Sequence, residues 1–169
     1  MAESPGTVVL GIDPGSNCTG WGVVREASGC AELLGTGVIR PGKGRALAER
    51  LGRLYQGLSR VIAEYGPVEA AMEDVFVSKN TASALKLGQA RGALMAACAT
   101  AGLTVEPYAP TKVKQALVGT GRAEKTQVAF MVAQVLGVRK PDWPVDASDA
   151  LAVAVCHLNH RRLARLARS

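Results

Sequence analysis

Four carboxylates in this chain stand where an acid is costly to bury and useful to aim. Asp13 ends the apolar run VVLGID and is followed by Pro14-Gly15. Glu73 ends a second apolar run, VEAAME, and Asp146 and Asp149 lie three residues apart at the head of VDASDALAVAV. Residues at i and i+3 are neighbours on one helix face, so the last two form a pair. Carboxylates within a few ångströms of one another cannot all stay ionised; they raise their pKa values or take a cation. An all-oxygen donor set without His or Cys suits the hard ions Mg²⁺ or Mn²⁺. Two such ions about 3.5–4 Å apart clamp the attacking and leaving oxygens of an in-line phosphoryl displacement. Each acid also has an ordinary role when taken alone. Asp13 can open an Asp-Pro-Gly turn, Glu73 can be a solvated strand end, Asp146 an N-cap and Asp149 a first-turn acid favoured by the helix dipole. The metal reading therefore rests on convergence, and convergence rests on the fold.

The elements that would bring these acids together are legible in the apolar pattern. Residues 7–13, 19–26 and 32–39 read as three closely spaced strands of an antiparallel meander. Leu47, Leu51, Leu54, Leu58, Val61, Ile62 and Tyr65 recur every three or four residues, a helix over 46–65 that Gly66-Pro67 ends. A short strand over 68–73 follows, then a small-residue helix over 80–101 capped by Gly102, and a strand over 104–107. Helices are expected over 111–118 and 124–136, with a last one from about Ala147 to Arg165. This order predicts an α/β domain with a five-stranded mixed sheet flanked by helices. A right-handed crossover through helix 46–65 lays strand 68–73 parallel to strand 7–13. If the two are neighbours, Asp13 and Glu73 emerge at one C-terminal edge, where ligands of open α/β sheets bind.

The 169 residues are expected to form a single domain, with 1–6 and about 162–169 flexible. No apolar run approaches the ~18 residues of a membrane span, and the N-terminus MAESPGT lacks the regions of a signal peptide. The expected compartment is the cytoplasm. Cys18, Cys30, Cys98 and Cys156 form no C-x-x-C and read as reduced, mostly packed thiols. The net charge is +6; residues 1–110 balance at ten basic and ten acidic side chains, whereas 111–169 carry ten basic and four acidic. The excess in the last third points to a polyanion, nucleic acid ahead of anionic lipid. The tail HLNHRRLARLARS, with Arg161, Arg162, Arg165 and Arg168, is either a further set of phosphate contacts or a frayed helix end.

GIDPGS with TGWGV after it, MEDVFVSKN, SALKLGQARGAL, VKQALVGTGRAEKTQV and DASDALAVAVCH follow one another across about residues 8–158. Together they resemble the RuvC family of Holliday junction resolvases, and the blocks around SALKLGQARG and VGTGRAEK make the likeness specific. The resemblance implies a ribonuclease H-like fold and a homodimer that nicks a four-way DNA junction symmetrically in recombination and repair, beside a branch-migration motor (RuvA and RuvB). It implies that Asp13, Glu73, Asp146 and Asp149 bind two metal ions, and that hydrolysis leaves 5′-phosphate and 3′-hydroxyl ends.

The resemblance also assigns Lys114 and Lys125 to the neighbourhood of the scissile phosphate, where either would stabilise developing charge. Phe76 matches an aromatic that stacks on bases near the junction centre, worth about 1–3 kcal/mol. Lys79, Lys112 and Arg122 are further expected DNA contacts, with Gly119 and Gly121 permitting a tight loop beside Arg122. Leu85, Gly88, Gly92 and Ala96 match the dimer-forming helix; packing in a monomer core is the other reading of that stripe. Asp74 departs from the family pattern. Strand alternation points it away from the metals, but if the strand has already ended it would enter the site. Three other functions are weaker. An actin- or hexokinase-like ATPase also has Gly-Ile-Asp-x-Gly after a first strand, but needs about twice this length. An RNA-directed nuclease of the same fold is opposed by Phe76 and the dimer stripe, and a non-catalytic junction-binding module by the presence of all four acids.

Overall fold

A computed structural model describes residues 6–74 and 80–167. The chain runs β1 (Thr7–Asp13), β2 (Thr19–Ala27), β3 (Cys30–Ile39), α1 (Leu47–Tyr65), β4 (Glu69–Glu73), α2 (Thr81–Thr100), β5 (Val105–Tyr108), α3 (Pro110–Val118), α4 (Lys125–Val135) and α5 (Val145–Leu166). The sheet order is β3-β2-β1-β4-β5. β1, β2 and β3 form the antiparallel meander, and β4 lies parallel to β1 and to β5. The fold is the expected ribonuclease H-like α/β architecture.

Alternation along the strands builds two cores. Leu10, Ile12, Val23 and Met72 face α1 and α2, where Leu54, Leu58 and Leu94 meet them. Val9, Val24 and Ala71 face α3, α4 and α5, packing with Leu117, Val132, Leu151 and Val155. α1 ends where Gly66 takes a left-handed φ of 57° and its N–H reaches Ile62 O at 3.0 Å, a turn that favours glycine. Val68 N–H then donates to Val8 O, which starts the register of β4 on β1.

α5 lies unusually close to the sheet because three strand glycines face it. A Cβ on Gly11 would stand 2.1 Å from Ala150 O, one on Gly20 1.8 Å from Asp146 O, and one on Gly22 2.4 Å from Leu151 Cδ2. At Gly11 and Gly20 the obstacle is backbone and no side chain fits; at Gly22 the buried Leu151 side chain would have to move. The far end of α5 is tied by a buried polar group: His157 Nδ1 lies 2.9 Å from the Tyr108 hydroxyl and its Nε2 2.7 Å from Glu69 Oε2. Burial holds the His157 pKa below its ordinary value. A neutral ring that donates from Nε2 to Glu69 and accepts at Nδ1 from Tyr108 satisfies both contacts.

Two boundaries differ from expectation in ways that bear on the site or the sheet edge. α5 begins at Val145 with Pro144 as its N-cap, so Asp146 is the second helical residue and not a cap. β5 runs through Pro107 to Tyr108, since an edge strand tolerates a proline. α5 ends at Leu166, within one residue of the expected Arg165. There Arg161 pairs with Glu69, and Arg162 with Glu26 and the Gly29 carbonyl. Those two arginines hold the helix to the sheet and are not a frayed end.

Candidate active site

β1 and β4 carry the first two acids out of the sheet side by side. Ile12 pairs with Met72, so Asp13 and Glu73 follow at the same edge. The turn after Asp13 is locked from two sides. Thr19, fully buried, donates its hydroxyl to Gly15 O at 2.9 Å and accepts from Gly15 N–H at 3.3 Å. Arg50 of α1 donates to Ser16 O and, at 2.9 Å, to Asn17 Oδ1. Asp13 is thus held by the β1 ladder on one flank and by a turn that two side chains clamp on the other.

The other pair comes from α5. Asp13 lies opposite Gly20 in the β1–β2 ladder, and Gly20 is the residue against which the Asp146 carbonyl rests. The absence of a side chain at Gly20 therefore sets the height of Asp146 relative to Asp13. Asp149 follows on the same helix face. α3 and α4 close the far wall. Pro110 at the head of α3 has a φ suited to a helix start, and Glu124 N–H donates to Gln127 Oε1 at 2.9 Å to begin α4 at Lys125.

The result is a cleft of about 320 Å³ lined by Asp13, Glu73, Asp146, Asp149, Lys114 and Lys125, with Val113, Val128 and Ala152 as apolar wall. Burial, the hydrogen bond with Glu73, and repulsion from Glu73, Asp149 and Asp146 push the Asp13 pKa up to about 8. Burial also raises Glu73, which the charges of Lys125 and Lys114 partly offset. Asp13 thus holds a proton that Glu73 accepts as a hydrogen bond. Lys125 Nζ stands 3.1 Å from Asp149 Oδ2, and that contact raises its pKa. Cys18 borders the site as a neutral thiol: burial and a hydrogen bond with Asp146 push it up to about 11.

Among the described residues, no three acids, histidines or cysteines are already drawn round one point as metal ligands. The donor set nevertheless fits a hard divalent cation. It is all carboxylate, two lysines stand at its rim, and its most buried acid stays protonated for want of a neutralising charge.

Other expected residues fall differently. Phe76 and Lys79 lie outside the described residues. Lys112 and Arg122 are exposed but do not line the cleft. Asp74 continues the ladder, its N–H donating to Tyr108 O at 2.8 Å, and it meets Arg91 of α2 at 3.2 Å, so it points away from the cleft as alternation requires. On α2 the buried face is Ala90, Leu94, Ala97 and Cys98. Leu85, Gly88, Gly92 and Ala96 are exposed, and a Cβ on either glycine would meet nothing within 4 Å. The monomer-core reading of that stripe is therefore overturned. All four cysteines are free, but only Cys98 and Cys156 are buried, while Cys30 is exposed. Sequence reasoning missed Gly11, Gly20 and Gly22 as positioning residues, although glycines inside a strand signal close backbone approach. It also missed Cys18, which nothing in its spacing marks.

The family model for the crossover junction endodeoxyribonuclease RuvC matches residues 9–157. A crossover junction endodeoxyribonuclease RuvC of Nitratidesulfovibrio vulgaris is 62% identical over 167 residues, covering 99% of this chain and 98% of that one. The solved RuvC of Thermus thermophilus has a TM-score of 0.85 at 37% identity, covering 94% of this chain and 97% of that one. A structure of T. thermophilus RuvC in complex with a Holliday junction substrate gives 0.84 at 36%, covering 93% and 96%. By sequence and by fold, this chain belongs to the RuvC family of crossover junction endodeoxyribonucleases.

Proposed function

We propose that this chain is a metal-dependent endodeoxyribonuclease that resolves four-way DNA junctions by paired, symmetric nicks in recombination and repair. The observation that carries the reading is the convergence of Asp13, Glu73, Asp146 and Asp149 with Lys114 and Lys125 in one cleft. The four acids would hold two ions, Mg²⁺ or Mn²⁺, which would supply Lewis acidity to an attacking water and to the leaving oxygen. Asp13 must release its proton to solvent for that loading, which exchanges the hydrogen bond with Glu73 for shared bonding to the cation. Lys125 holds Asp149 in place and, with Lys114, offers positive charge where the phosphoryl oxygens gain negative charge. Hydrolysis leaves a 5′-phosphate and a 3′-hydroxyl.

The exposed α2 stripe supports a homodimer built through Leu85, Gly88, Gly92 and Ala96. Lys79, Lys112 and Arg122 contact phosphates, and Phe76 stacks on an unpaired base. The enzyme acts in the cytoplasm beside the RuvA–RuvB motor; among the described residues no helix is long and apolar enough to cross a membrane. The test is cleavage of an end-labelled four-way junction beside linear duplex and an RNA–DNA hybrid, with Mg²⁺ or Mn²⁺. Paired symmetric nicks in the junction alone are expected. Binding without cutting would leave a junction-binding module, and cutting of the hybrid alone would overturn the substrate.

A further inference from the structure

A second basic surface lies away from the cleft. On α1, Arg53, Gln56, Gly57 and Arg60 share one face by their i, i+3, i+4, i+7 spacing. A Cβ on Gly57 would stand 2.8 Å from Ile39 Cγ2, so the missing side chain lets α1 lie against the end of β3. Arg40, the residue after β3, then closes a groove of about 380 Å³ with Arg53 and Arg60. Among the described residues, no carboxylate lines this groove. Arg53 reaches Glu49 at 3.4 Å, an exposed contact that Glu49 shares with Arg45 and that contributes little. Among the described residues, neither Arg40 nor Arg60 makes an ion pair with a carboxylate.

Resting on the junction-nuclease reading, we infer that Arg40, Arg53 and Arg60 form a track for the phosphate backbone of a DNA arm leaving the catalytic edge. Three guanidiniums beside one groove repel unless a polyanion enters, and guanidinium is the side chain best matched to phosphate. The spacing suits an extended strand. Arg53 and Arg60 stand seven residues apart, about 10.5 Å along the helix axis, so with Arg40 they spread positive charge along the length of the groove. One end of the track lies near the active site. Ile39 pairs with Thr19, one residue before Gly20, and the charge of Arg40 is felt by Cys18 beside Asp146.

The experiment is equilibrium binding of a four-way junction by the full chain, in EDTA, across a series of KCl concentrations. The double variant Arg53→Gln/Arg60→Gln is expected to reduce the slope of log K against log salt by about 1–2, at about 0.9 for each phosphate no longer neutralised. Its affinity deficit widens as salt falls. Arg53→Lys/Arg60→Lys, with charge retained, keeps most of the slope. The single-turnover cleavage rate of the Gln variant at saturating protein stays at the wild-type value. An unchanged slope overturns the inference. So does a fall in the saturated rate, which would place these residues in the chemistry. A wild type that binds the junction and never cuts it would instead defeat the nuclease reading, while leaving the slope comparison intact.

Discussion

Replacing Asp13 with Asn is expected to stabilise the metal-free protein, and to do so more at pH 7 than at pH 5. In the unfolded chain this carboxyl ionises near its ordinary value of 3.8; in the folded chain it keeps its proton until about pH 8. Between those values the native state binds one more proton than the unfolded state, so stability falls as pH rises, by about 1.36 kcal/mol per unit. From pH 5 to pH 7 the full effect is about 2.7 kcal/mol; water entry into an open cleft reduces it to about 1–2 kcal/mol. Asn keeps an amide to donate to Glu73 but has no proton to lose, so the variant lacks this pH dependence. For a chain of this size each kcal/mol moves Tm by about 2–4 °C. The gap in Tm between variant and wild type should therefore widen by about 2–8 °C between pH 5 and pH 7, read from thermal melts in EDTA. Saturating Mn²⁺ should raise the wild-type Tm more than the variant's. A gap that stays flat from pH 5 to pH 7 would refute the claim that Asp13 is held neutral by its burial and by the neighbouring acids.

Asp149→Asn should retain junction binding and lower cleavage by orders of magnitude; wild-type cleavage would remove Asp149 from the site. Gly20→Ala forces a Cβ to within 1.8 Å of Asp146 O and should cost about 1–3 kcal/mol in thermal unfolding, with a loss of cleavage that excess metal does not restore. An unchanged Tm would mean that α5 is not seated on Gly20. Gly92→Glu should leave the chain folded, because a Cβ there meets nothing within 4 Å, and should shift sedimentation from dimer to monomer with loss of paired nicking. A dimer that persists would move the interface off this stripe.

The sheet edge was legible because apolar runs ending in single acids are rare signals that reinforce each other. The order of strands and the parallel pairing of β4 on β1 followed from one right-handed crossover. The start of α5 was misread because Asp is a favoured cap residue and Asp146 stood at the right place for one, whereas Pro144 takes that position. β5 lies one residue later than expected, running through Pro107 to Tyr108, which an edge strand allows. Net charge misled more seriously. Residues 1–110 sum to zero, which hid the groove of Arg40, Arg53 and Arg60. The acids that balance them are elsewhere: Asp13 and Glu73 in the cleft, Glu26 and Glu69 tied to α5. Conversely, the arginine-rich tail looked available for DNA and is partly consumed by those same ion pairs. Charge summed along a chain says nothing of charge on a face.

The glycines explain how four repelling acids are held without neutral partners for each. The two ends of the site are fixed away from the carboxylates themselves: Asp13 by the Thr19 and Arg50 side chains that clamp its turn, Asp146 by contact of its own carbonyl with Gly20. Close backbone packing resists displacement because any movement of α5 must also separate Gly11 from Ala150 and Gly22 from Leu151. The repulsion is relieved mainly by protonation of Asp13, beside the smaller rise at Glu73 and the pairing of Lys125 with Asp149, and a bound cation removes that cost while restoring the charge the reaction needs. Positioning is therefore vested in residues that touch no substrate. Substitutions at Gly11, Gly20 and Gly22 should impair cleavage as surely as substitutions of the acids, with one difference that a melt reveals: the acid variants keep or gain stability, and the glycine variants lose it.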